Sequence, residues 1–70
     1  MSYEPYQLRM LAERDELNDR LTKLHTFINS KKFEDVHPDE QFRLSTQASA
    51  MCTYLLVLDS RIAAWPTEEE

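Results

Sequence analysis

The sequence predicts an all-α protein, an antiparallel two-helix hairpin assembling into a homo-oligomeric helical bundle, and three observations carry that expectation. No glycine occurs in the 70 residues, which removes the residue that tight φ > 0 turns between strands rely on. Two stretches repeat apolar residues at helical spacings on either side of a short segment that ends at Pro38. The chain is also too short to bury a self-sufficient core. Its single cysteine, Cys52, can form neither an internal disulfide nor a Cys-based zinc site. Regular helix packing and further subunits are what remain to stabilise a chain of this size.

The first helix is expected over about 4–30. Met10, Leu17, Leu21, Leu24 and Ile28 keep to one helical face, and the charged residues between them face water. Ser2 followed by Pro5 reads as its start, and Asn29, Ser30, Lys31 and Lys32 as its end, with cations at the negative pole of the helix dipole. A turn is expected over 31–37. There His37 reads as a capping residue ahead of Pro38, Asp39 and Glu40, which open the second helix at its positive pole. That helix is expected over 38–64, with Leu44, Ala48, Met51, Leu55, Leu58, Ile62 and Trp65 forming an unbroken seam until Pro66 stops it. An acidic tail, 66–70, completes the single domain. So short a connection favours antiparallel neighbours.

Cys52, Tyr54, Leu56, Val57 and Ala64 add apolar surface to the second helix beyond that seam, more than one partner helix covers. Exposed apolar surface of this kind marks an interface. Met51, Tyr54, Leu55, Val57 and Leu58 are therefore expected at a subunit contact; burial of the helix in a larger host complex is the alternative. Arg14 stands where the seam between Met10 and Leu17 calls for an apolar side chain, and a polar residue there sets register or contacts a ligand anion.

The charge of −5, with eight basic residues against thirteen acidic ones, argues against a partner that is a DNA or RNA polymer. It leaves room for an anion held where a few cations converge. Neither a basic region leading into an apolar run at the N-terminus nor a membrane-spanning apolar stretch is found, so a cytoplasmic protein without a membrane partner is expected. Cys52 falls in the apolar stretch of the second helix as a packing thiol, and His25 and His37 match no metal-ligand spacing. No catalytic residue, metal or cofactor is expected, and the protein is not read as an enzyme.

Binding is the more open class. Tyr3, Tyr6 and Arg9 share a broad face near the start of the first helix, a combination suited to stacking on a base and holding a phosphate. The same tyrosines could instead extend the seam to cover Trp65. Lys23 and Thr26, flanking His25, form a second polar group toward the turn, whereas Arg61 approaches the Tyr6 end. By themselves Lys23 and Arg61 are more often solvated helix charges or partners of Asp19 and Asp59. A single hairpin does not unite these groups, so a ligand clamped between subunits is the economical arrangement.

The series Tyr6-Gln7-Leu8-Arg9-Met10, Glu13, Leu17, Leu21-Thr22-Lys23-Leu24, Phe27-Ile28, Gln47, Met51, Tyr54, Leu58 and Arg61-Ile62 resembles short helical-hairpin proteins of tailed bacteriophages. The resemblance covers about residues 6–62 and points to the family that includes anti-CBASS and anti-Thoeris sponge proteins. It implies a compact homo-oligomer, often a hexamer, in the infected bacterial cytoplasm. Such a protein would sequester cyclic nucleotide immune signals, namely cyclic di- or trinucleotides or cyclic ADP-ribose isomers, without cleaving them. It also implies that Tyr6, Lys23 and Arg61 contact the ligand, with Tyr3 as a second candidate for the aromatic position. The alternative is an oligomeric hairpin that binds and modulates a host protein through the face around Tyr54 and Val57.

Overall fold

A computed structural model describes residues 3–66. It consists of helix α1, Pro5–Ile28, a 3₁₀ turn, Lys31–Asp35, and helix α2, Pro38–Ala63, with no strand among the described residues. The two helices lie side by side as a hairpin 53 Å long and 15 Å across. The expected acidic tail falls, apart from Pro66, outside the described residues, and so does Ser2.

Both helices start where a proline fits. Pro5 and Pro38 occupy first-turn positions, where a missing N–H costs nothing because no intrahelical acceptor exists for it. Glu4, rather than Ser2, caps α1, and its N–H donates to Gln7 Oε1 at 2.7 Å. His37 caps α2 as expected, with Nδ1 accepting from the Asp39 N–H at 3.1 Å. At the other end of α1, Asn29 donates its N–H to the His25 carbonyl.

The turn is more ordered than the sequence suggested. Phe27 and Phe33 meet edge to face with centroids 5.9 Å apart, a favourable arrangement of ring quadrupoles. Gln41, from the first turn of α2, reaches back so that Nε2 donates to the carbonyls of Phe33 at 2.8 Å and Val36 at 3.0 Å. One amide thus ties the 3₁₀ turn to α2. Replacing it by Gln41→Ala is expected to cost about 1–2 kcal/mol and to lower the melting temperature by about 5–10 °C. An unchanged melting curve by circular dichroism would mean that the Phe27–Phe33 contact alone holds the turn.

The seam packs much as the periodicity requires. Met10, Leu17 and Leu21 of α1 and Ala48 and Leu58 of α2 are buried, and Met51, Leu55, Ile62 and Trp65 pack around them. Leu58 is 0 % exposed. Of the five residues expected at a subunit contact, Leu58 is thus enclosed within its own chain, Met51 and Leu55 are partly buried against the same core, and Tyr54 and Val57 stay exposed.

Arg14, the polar residue in the seam, spans the hairpin. Its Nε donates to Asp59 Oδ1 at 2.9 Å and its Nη1 to Asp15 Oδ1 at 3.0 Å. The two carboxylates, Asp59 foremost, raise the guanidinium pKa further above its ordinary value. The bond to Asp59 links residues 45 positions apart, so it exists in one helix register only.

Candidate ligand-binding site

At the open end of the hairpin three aromatic rings gather because the seam residue Trp65 projects beyond the end of α2. Tyr3 approaches it with centroids 5.8 Å apart in a tilted contact, and Tyr6 at 6.3 Å edge-on. The tyrosines cover Trp65, one of the two expectations for them, and remain 57 % and 46 % exposed.

Two guanidinium groups lie at the same end. Arg9 stands one turn after Tyr6, and Arg61 crosses from α2 to place Nη2 3.8 Å from Met10 Sδ. Arg61 does not pair with Asp59, as the sequence allowed, because Arg14 has taken that carboxylate. Neither Arg9 nor Arg61 forms an ion pair among the described residues. A thioether is a weak acceptor and leaves the Arg61 charge available. Guanidinium donors beside exposed rings can hold a phosphate and stack on a base together.

The second polar group is elsewhere and is partly spent. Lys23 Nζ pairs with Asp19 one turn back at 3.1 Å, and the Thr26 hydroxyl donates to the Thr22 carbonyl at 2.9 Å. Seventeen residues of α1 separate Tyr6 from Lys23, about 26 Å along the helix, so one chain does not bring them together. The turn half instead carries an open groove of about 470 Å³ lined by His25 and Ile28 of α1 and by Ser45, Ser49, Cys52 and Thr53 of α2. Ser45, Ser49 and Thr53 escaped the sequence reading because Ser and Thr on a helix face resemble ordinary solvated positions; only the helix register places them opposite His25. Among the described residues no three His, Cys, Asp or Glu side chains converge as a metal site. Nor is any helix long and apolar enough to cross a membrane.

These features define a small helical hairpin with aromatic rings and guanidinium groups without an ion pair among the described residues at one end, and an open groove toward the other. The chain belongs to the Sequestin family, whose model matches residues 4–64, both helices and the turn included. The family name speaks of sequestration and specifies no ligand. No curated protein and no solved structure matches the chain.

Proposed function

We propose that this protein is a phage-encoded sponge that sequesters cyclic nucleotide immune signals, cyclic di- or trinucleotides or cyclic ADP-ribose isomers, as a homo-oligomer in the bacterial cytoplasm. The signal is held without being cleaved, an anti-CBASS or anti-Thoeris role. The observation that carries this reading is the open end, where Tyr3 and Tyr6 offer exposed faces beside Arg9 and Arg61. Rings stack on bases and guanidinium groups neutralise phosphates, and membership of a family named for sequestration agrees with binding as the whole activity. Rigid helices that already hold these side chains lower the ordering cost of binding.

Melting the purified protein with each member of a panel of cyclic oligonucleotides and cyclic ADP-ribose isomers tests the proposal. One ligand at one hundred times its dissociation constant is expected to add about 2.7 kcal/mol of stability. A panel that moves the melting temperature nowhere would overturn it. The exposed residues Phe42, Leu56 and Val57 favour a second reading, an oligomeric hairpin that docks on and modulates a host protein. That reading gains if the protein melts alike with every nucleotide.

A further inference from the structure

The outer face of α2 contains no charged residue from Leu44 to Leu58, whereas the outer face of α1 carries Glu16, Asp19, Arg20 and Lys23. Along the uncharged face run Phe42, Ser45, Ser49, Thr53 and Leu56, spaced by three, four, four and three residues. At 3.6 residues per turn all five fall within about 80° of one another, forming a ridge about 21 Å long. Its order is palindromic. Large apolar side chains, Phe42 at 72 % and Leu56 at 70 % exposure, stand at the ends, and three small hydroxyl residues lie between them.

We infer that α2 packs against the α2 of a second copy in antiparallel fashion about a two-fold axis at Ser49. Phe42 then meets the partner's Leu56, Ser45 faces the partner's Thr53, and the two Ser49 residues oppose each other. A two-fold contact requires the same patch on both subunits to complement itself, and a ridge that reads the same in both directions does so. Charge agrees: a chain of net −5 repels its copies, and this uncharged face brings them together with least like-charge contact.

The contact also completes the groove. Ser45, Ser49 and Thr53 belong both to the ridge and to the groove beside His25, so the second copy supplies the wall that one chain lacks and makes it a pocket shared by two subunits. The inference rests on the self-association in the proposed function and specifies its geometry.

Disulfide trapping in a Cys52→Ser background tests it. Ser49→Cys is expected to couple two chains on mild oxidation, because opposed residues at a close helix crossing meet the requirement of Cα atoms within about 7 Å. Ala12→Cys, on the outer side of α1, is expected to stay uncoupled. Phe42→Cys chains are expected to couple to added Leu56→Cys chains and not to themselves. Coupling of Phe42→Cys to itself would mean a parallel pairing and overturn the geometry, as would a sized oligomer whose Ser49→Cys thiols stay free. A wild-type protein that sediments as a monomer would overturn self-association as a whole, whereas nucleotide binding, read in the melting panel, is scored separately.

Discussion

Leu58→Ala is expected to destabilise the fold by about 2–5 kcal/mol, the largest loss available from one truncation. Among the described residues Leu58 is the one fully enclosed large side chain, and Met10, Leu17, Met51, Leu55, Ile62 and Trp65 belong to the cluster around it. Truncation removes apolar area from the core and leaves a cavity that two stiff helices close poorly. Among the described residues five are buried, so few other contacts compensate. At a few degrees per kcal/mol the melting temperature falls by about 10 °C or more. Leu8→Ala, at a residue 55 % exposed, is the control and is expected to change stability by no more than about 0.5 kcal/mol. Equal melting of the two variants would mean that Leu58 is not the centre of the core.

Arg61→Gln is expected to weaken nucleotide binding by about 10- to 100-fold, the loss of a hydrogen bond to a charged group at about 1.5–3 kcal/mol. The melting temperature without ligand should stay close to that of the unchanged protein. Glutamine retains part of the stem that lies near Met10, and no ion pair is broken among the described residues. Lys23→Gln, which removes an ammonium already paired with Asp19, is expected to have the smaller effect. Titration calorimetry of both variants separates the two ends of the hairpin. A Lys23→Gln variant that loses binding while Arg61→Gln retains it would place the ligand near the turn.

The helices were legible because their signals are local. Prolines at positions 5 and 38 marked the starts, and the three-and-four spacing of Leu17, Leu21, Leu55 and Leu58 fixed the faces that met. The partners of the charged residues were legible only within one helix. Lys23 with Asp19 obeys the i,i+4 rule and was foreseen; Arg14 with Asp59 depends on how the turn sets one helix against the other. That register is in turn held by Gln41 and the Phe27–Phe33 contact, which no periodicity reveals. The same dependence hid the groove, since His25 and Thr53 become neighbours only after the register is set. The aromatic end was legible in both tyrosines and in their cover over Trp65, whereas the approach of Arg61 to Met10 depends on the register of the two helices.

Native mass spectrometry of the purified protein, incubated with the cyclic nucleotide panel and then denatured, tests the central claim most directly. The account predicts an oligomer that carries one member of the panel at a fixed stoichiometry and releases it with unchanged mass on denaturation. An oligomer that retains none of the panel, or one that releases a hydrolysed product, would contradict it.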